Sequence, residues 1–441
     1  MNNLAQPITP RFLFRFTLPN VIMMVFNALY VIVDGVFVSN FVGTNALSAV
    51  NIAYPMQSAV LAMAIMLATG GSAVAAKQMG QGNAEKARNT FSLLIATGLI
   101  IGLLIGAITL LCTSSLVVFL GANDAIYGYC YDYLHMLGYF FPLSMLQIMF
   151  QFLFVTAGRP TLGLVSIAMG GLSNIVLDYV FIVQLNMGIM GAGLATGVGF
   201  TLPALFGLVY FAVSRQGALW FVRPSWDGAS IIKACTNGAS EMVSNLAICV
   251  STLLFNLLMM HHVGEDGVAA ITIVLYAQFL FNAVYFGYCG GMAPLVSYNY
   301  GAGDTGHLKQ LYTMSLRFVL TSSLVTTVVA FASAGTVATL FASASQEVYD
   351  LTVTGLHLFA VGFLFMGYNL FASNFFTALS NGKVSATLSF IRTIVLIVGA
   401  LIVMPHLWGV MGIWLALPTA EALSTMISWV HFKKYQSQYG Y

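Results

Sequence analysis

Apolar runs of about 20 residues follow one another along the whole chain, the length that crosses a hydrocarbon core of roughly 30 Å. Short segments rich in glycine, asparagine and the few charged residues separate them. The runs centre near Asn27, Met56, Gly102, Gly138, Ser173, Thr201, Ala247, Phe281, Val325, Leu364, Ile394 and Leu423. They are continuously apolar, whereas strands of a membrane barrel alternate apolar with polar positions. Backbone groups in lipid must bond within their own segment, so each run is predicted as a helix. The expected fold class is an all-α membrane protein with twelve transmembrane helices.

Composition agrees with the pattern. Of 441 residues, 59% are hydrophobic and 6% charged, against about a quarter charged in an ordinary soluble domain. No stretch is left for a separate soluble domain. The net charge of +2 is uninformative, but its placement is not. Arg11, Arg15, Lys77, Lys86, Arg88, Arg159, Arg215, Arg223, Lys233, Lys309, Arg317, Lys383, Lys433 and Lys434 fall in the tails, in alternate loops or at their flanks. The loops near Thr44, Asn123, Asn186, Glu265, Gln346 and His406 carry no lysine or arginine. The positive-inside rule then puts both termini and the basic loops in the cytoplasm of a multi-pass protein of the cell (inner) membrane. The start, "MNNLAQPITPRFLFRF", lacks a short apolar core followed by a small-residue cleavage site, so the first run is expected to remain as an anchor. Five widely spaced cysteines support neither a disulfide framework nor a thiolate metal site.

The chain also repeats itself at an offset of 221 residues. "GIMGAGLA" at 188–195 returns as "GVMGIWLA" at 409–416, and Gly43, Gly80 and Gly82 fall on Gly264, Gly301 and Gly303. Each half holds six runs, and an even number brings the chain back to its starting side. The halves should therefore be parallel repeats related by a pseudo-two-fold axis along the membrane normal, an arrangement that builds transporters with a cavity between lobes. The expected division is an N-terminal lobe over 1–213, a cytoplasmic connector over 214–230 and a C-terminal lobe over 231–441.

The repeat duplicates architecture but not polar chemistry. Asp34 falls opposite Phe255, Asn174 opposite Val395 and Asp178 opposite Gly399; in the other direction Glu241, Arg392 and Glu421 fall opposite Asn20, Gly171 and Phe200. An ionisable residue at mid-membrane costs at least about 2.5 to 3.5 kcal/mol and is a functional candidate by default. Asn174 and Asp178, four apart, share one helix face. At 1.5 Å of rise per residue, Asp34, Asp178 and Thr196 lie at one depth, roughly 9 to 12 Å below the outer surface. Two carboxylates, an amide and a hydroxyl there can form a proton or cation site, with sodium as the candidate metal at Asp34, Asn174 and Asp178. Alternatively, each merely bonds a neighbouring helix. Glu241, Arg392 and Glu421 are scattered in depth, and a structural ion pair and a substrate contact remain equally open for them.

No lysine precedes a serine or threonine, so there is no Walker A loop, and neither a zinc-protease helix nor a serine nucleophile elbow occurs. An enzyme is not expected. At this point the residues resemble the multidrug and toxic compound extrusion (MATE) transporters, in particular their bacterial drug-efflux branch. The likeness covers nearly the whole chain and rests on the two six-run halves, on "MGQGNAEKAR" and "YGAGDTGHLK" after the second and eighth runs, and on "SNIVLDYVFI" in the fifth. The resemblance implies export of cationic, amphipathic compounds in exchange for protons or sodium ions, without a cofactor, by a monomer that binds no nucleic acid. It also implies a coupling site at Asp34, Asn174, Asp178 and Thr196, a helix bend at Pro19 and a span-seven acid at Glu241. The chain departs from some members in lacking an acidic partner at several positions of its C-terminal half. A flippase for a lipid-linked precursor shares such an architecture and would carry more basic residues in its cavity; Arg392 is the clear one here. An ion channel is the remaining alternative.

Overall fold

A computed structural model describes residues 3–215, 217–341 and 345–441. Those residues are helical almost throughout, with no strand among them. In the N-terminal half the helices are α1 (Pro10–Phe37), α2 (Thr44–Gly80), α3 (Ala84–Phe119), α4 (Tyr127–Thr156), α5 (Pro160–Asp178) and α6 (Gly188–Val213). The C-terminal half has α7 (Gly228–His262), α8 (Glu265–Ala302), α9 (Thr305–Phe341), α10 (Gln346–Ala378), α11 (Gly382–Phe390) and α12 (Gly399–Tyr439). Among the described residues, 11 helical stretches are long and apolar enough to cross a membrane, the last running 58 residues from Gly382 to Tyr439.

That last stretch differs from expectation. The loop expected near His406 is helix: His406 Nδ1 lies 2.8 Å from the carbonyl of Ile402, one turn back. The interruption lies instead at Gly409, whose φ of 56° and ψ of −134° leave the helical region. Such a conformation suits a residue without a Cβ. Gly409 has a counterpart of similar φ, 58°, at Gly188, and Gly43 and Gly264 (114° and 95°) and Gly82 and Gly303 (78° and 71°) pair in the same way. The chain therefore bends positively at matching positions of the 221-residue offset.

Three segments are wound as π-helix rather than α-helix: Val38–Val42 after α1, Tyr179–Gln184 after α5, and Ile391–Val398 between α11 and α12. Nothing in the local sequence announces them. Pro19, Pro55, Pro142, Pro203, Pro294, Pro405 and Pro418 all lie inside helices, which buried membrane helices tolerate because neighbours re-satisfy the freed carbonyls. The helix α1 runs through Pro19 without a non-helical residue.

Packing follows small residues. Within the N-terminal half α4 is central, touching α2, α3 and α6, while α5 packs on α1 and α6; in the C-terminal half α10 touches α8, α9 and α12. The halves meet where α2 lies against α7 and α8, and α1 against α8. These contacts are backbone to backbone. A Cβ at Gly70 would overlap Ala234 and Gly238, one at Gly238 would overlap Met66, and one at Gly287 would press on Asn20 and Val21. Gly80 abuts the carbonyl of Tyr298 while Gly301 abuts that of Lys77, an exchanged pair of contacts. Residues 77 and 80 are each 221 positions from their counterparts, so the same close approach is made twice.

Between the halves the chain does not hang free. The Arg88 guanidinium lies 3.4 Å from the centre of the Trp220 ring. Asn89 exchanges hydrogen bonds with the backbone of Ser225, and Ser92 accepts from the amide of Val222. Asp227 then caps α7, accepting from the amide and hydroxyl of Ser230, and stands 3.9 Å from Lys86. Within the expected connector, Gln216 lies outside the described residues.

Candidate functional site

Asp34 occupies the last turn of α1, and Asp178 is the final α-helical residue of α5. Each therefore stands where its helix widens into a π segment, and the two π segments touch. Segments of this kind occur often at functional sites. The carboxyls of Asp34 and Asp178 face each other, with the phenols of Tyr30 and Tyr133 beside both. Thr196 on α6 stands next to Tyr133 and also donates 2.9 Å to the carbonyl of Ala192 in its own helix. Asn174, one turn before Asp178, lines with Asn27, Tyr30, Gln147 and Thr196 a cavity of ≈ 10 Å³, about the space of a single water-sized occupant.

Asn174 is 1% exposed, Asp178 0% and Thr196 6%, and Asp34 is half-buried. Yet apart from the facing carboxyl itself, no protein partner reaches Asp34 Oδ1, either oxygen of Asp178, or either amide atom of Asn174. These are five of the 12 buried side-chain atoms without a partner among the described residues, gathered at one site. An unmet buried polar group costs about 1 to 3 kcal/mol. The carboxyl that faces Asp178 is that of Asp34, itself only an acceptor when ionised. Two such carboxylates in a low-dielectric surrounding repel unless a proton or a cation lies between them. Chemically the site can take up one positive charge and release it.

The structure thus brings together the four polar residues singled out at one depth. It adds Tyr30 and Tyr133, which the sequence reading passed over. The tyrosines had no polar signal beyond the aromatic background of the chain.

The C-terminal half holds a different kind of cluster. Arg392, in the π segment after α11, donates from Nη2 to Glu421 Oε1 at 2.7 Å and from Nε to both carboxylate oxygens at 3.0 and 3.1 Å. Asn369 of α10 donates to Glu421 Oε2 at 2.7 Å, while its own Oδ1 accepts from Thr425 and Ser428. Glu421 is 0% exposed and the Arg392 side chain 11%. Of the two readings left open, Arg392 and Glu421 therefore form an ion pair. Glu241, 5% exposed on α7, has Arg392 and the Cys289 thiol of α8 near its carboxyl. Asn369, which completes the cluster, was missed because a lone asparagine in an apolar run has no local mark of its partner.

Two further polar groups are satisfied inside the bundle. His135 Nδ1 lies 3.0 Å from the Thr113 hydroxyl, and its ring stacks on Tyr131. No group of three or more His, Cys, Asp or Glu able to hold a metal ion occurs among the described residues.

Comparison with known proteins decides the family. The sequence model of the MatE family matches residues 19–180 and again 242–402. The chain belongs to the MatE family. Among its relatives, the multidrug export protein MepA of Staphylococcus saprophyticus is 23% identical over 421 residues, covering 93% of this chain and 91% of that protein. MepA of Staphylococcus aureus is 22% identical over 422 residues with the same coverage. In fold the chain is similar to a MATE transporter crystallised with MaL6, with a TM-score of 0.94 and 22% identity over 99% of this chain and 98% of that one. It is likewise similar to a multidrug resistance MATE transporter of the MOP superfamily in an outward-facing conformation, with a TM-score of 0.92 and 23% identity over 99% and 97%. The expected family is therefore the observed one, a family of multidrug efflux transporters, and the relatives named are export proteins.

Proposed function

We propose that this MatE chain is a secondary active exporter of small cationic, amphipathic compounds, driven by protons or sodium ions entering through its N-terminal half. One observation carries the reading: Asp34 and Asp178 face each other in the bundle interior without a protein donor for Asp34 Oδ1 or either oxygen of Asp178. A fixed structural role would supply partners; a site that must load and unload a cation leaves them out. The similarity to multidrug export proteins supports the substrate class. A cation moving inward down 100 mV supplies about 2.3 kcal/mol per charge for moving another solute outward.

The finer architecture follows the same reading. Both termini and the loops bearing Lys86, Arg159, Lys309 and Lys383 face the cytoplasm, and the chain crosses twelve times, the break at Gly409 turning the last 58-residue stretch into two crossings. The double match of the family model and the paired positive-φ glycines support two parallel lobes, 1–213 and 231–441, joined by a cytoplasmic connector. The lobes rock against each other in a monomer in the cell (inner) membrane, and Glu241 attracts cationic substrate from the cytoplasmic side. Protonated or cation-loaded, Asp34 and Asp178 are neutralised and favour one arrangement; ionised, they favour the other.

Sealed vesicles with the protein in known orientation test this when a pH gradient and a sodium gradient are imposed separately. Uphill movement of a fluorescent organic cation is expected with one of the two. Equal movement with no gradient, or conductance without countertransport, would overturn it in favour of a channel.

A further inference from the structure

The guanidinium of Arg392 is held by a single carboxylate that is itself tied down by others. Glu421 on α12 grips it at 2.7, 3.0 and 3.1 Å, and Asn369 on α10 secures the far oxygen of that carboxylate and is itself secured by Thr425 and Ser428. Asn369 also donates 2.9 Å to the backbone carbonyl of Glu421, so carboxylate and backbone of this residue are tied to the same amide. From α7, Glu241 faces the guanidinium, and Cys289 of α8 lies near Glu241 in turn. Each oxygen of the Glu421 carboxylate has a donor. That is the reverse of the Asp34 and Asp178 pair, whose unpaired oxygens wait for a positive charge.

Without the guanidinium, Glu421 would be a buried carboxylate with the side-chain oxygens of Asn369, Thr425 and Ser428 in the same network. Such hard oxygen donors suit a proton or a small alkali cation. An arginine side chain remains charged at any physiological pH and cannot leave its tether. We propose that Arg392 is a resident counter-cation of the C-terminal half: its guanidinium permanently fills the place at Glu421 that an exchangeable cation would otherwise take, so that this half carries no coupling ion. One buried positive charge is therefore built in on one side of the molecule and borrowed from solution on the other. Glu241 keeps its carboxylate for a different cation, the substrate. The term coupling ion rests on the exporter reading given above, but the number of cations bound per chain is measurable without any transport.

The test counts cations on the purified full-length protein in lipid nanodiscs, by proton uptake across a pH titration with an indicator dye and by binding of radioactive sodium. Arg392→Met removes the charge and keeps the apolar stem; it is expected to raise the count by one proton or one sodium ion per chain. Arg392→Lys should keep the wild-type count. Arg392→Gln combined with Glu421→Gln removes both charges together, a replacement buried ion pairs often tolerate, and should also keep the wild-type count. A merely structural Arg392 would lower yield or melting temperature in Arg392→Met and leave its count unchanged, which overturns the proposal. Loss of one bound cation in the double variant overturns it too, because Glu421 would then have been an exchangeable site all along. Should Arg392→Met not fold, the double variant decides alone. A wild-type chain that moves no substrate in vesicles would sink the exporter reading while leaving these counts in place.

Discussion

The molecule buries acidic groups in two ways. In the N-terminal half, Asp34 and Asp178 face each other, with no partner for three of their four oxygens. In the C-terminal half, Glu421 is closed on all sides by Arg392 and Asn369. Both sites lie beside π-helical segments, and Asp178 and Glu421 are both fully buried. The difference is whether the neutralising charge is covalently part of the chain. Where it is, the carboxylate already has its donors within the chain. Where it is not, folding leaves an unmet electrostatic demand that a mobile ion can satisfy, which is what a coupling site requires.

The sharpest way to break this contrast is to remove the unpaired acids. Asp34→Asn and Asp178→Asn are each expected to reduce gradient-driven export in vesicles to the level of protein-free membranes. Both variants should fold, because an amide replaces a charge that had no partner; melting temperatures in detergent should equal or exceed that of the wild type. Retained export in either variant would remove the residue from the coupling site.

Next in size is the response of the C-terminal cluster. Glu421→Ala leaves a buried guanidinium without its carboxylate and should destabilise the protein by about 3 to 5 kcal/mol, as breaking one side of a buried pair does. Arg392→Met with Glu421→Met removes both charges and should be neutral or stabilising by about 1 to 4 kcal/mol. Denaturant or thermal unfolding of the two proteins side by side reads the difference, and similar losses in both would mean that the cost does not come from an orphaned guanidinium.

A smaller effect separates Glu241 from either cluster. Glu241→Gln should weaken binding of positively charged substrates about tenfold, ~1.4 kcal/mol, while neutral analogues and cation binding at Asp34 and Asp178 stay as they were. Titration of one charged and one uncharged substrate on the same preparation gives the answer; parallel losses would place Glu241 in the structural fabric.

The smallest effect lies outside the membrane-spanning segments. Ser230 donates its hydroxyl and amide to Asp227 at 2.7 and 3.1 Å, and these bonds hold the Asp227 carboxyl below its usual range. A depressed carboxyl stabilises the folded chain above its unfolded pKa, so the cap should be fully effective at neutral pH and weaken as pH falls through the folded value. Asp227→Ala should cost about 1 kcal/mol at neutral pH, and less in acid. A cost that grows on acidification would contradict the sign.

Much of this molecule was legible before any coordinates. Bilayer thickness translates directly into run length, and the placement of lysine and arginine is a count along the chain, so helices and their alternation need no knowledge of packing. The isolated acids at positions 34, 178, 241 and 421 stood out for the same reason: a charge in an apolar run is visible by itself. The 221-residue offset exposed matching glycines, including Gly188 and Gly409, whose positive φ values the structure then showed to match. The loop expected near His406 proved to be helix, because hydropathy dips alike for a true loop and for a histidine that bonds its own preceding turn.

What the chain alone did not decide was which charge meets which. Arg392 and Glu421 come from different helical segments, as do Asp34 and Asp178, and nothing in either stretch says that one pair is of opposite sign and closed while the other is of like sign and open. That depends on how α1 is set against α5, and how the π segment after α11 is set against α12, through glycine contacts and side chains contributed by third helices such as Tyr133 and Asn369. The π windings at these places are equally invisible in the sequence, since they arise from the fit of whole helices to their neighbours. Hydrophobic burial is a property each segment has by itself; electrostatic pairing exists only between segments, and so tertiary packing alone determined which acids were left without a donor.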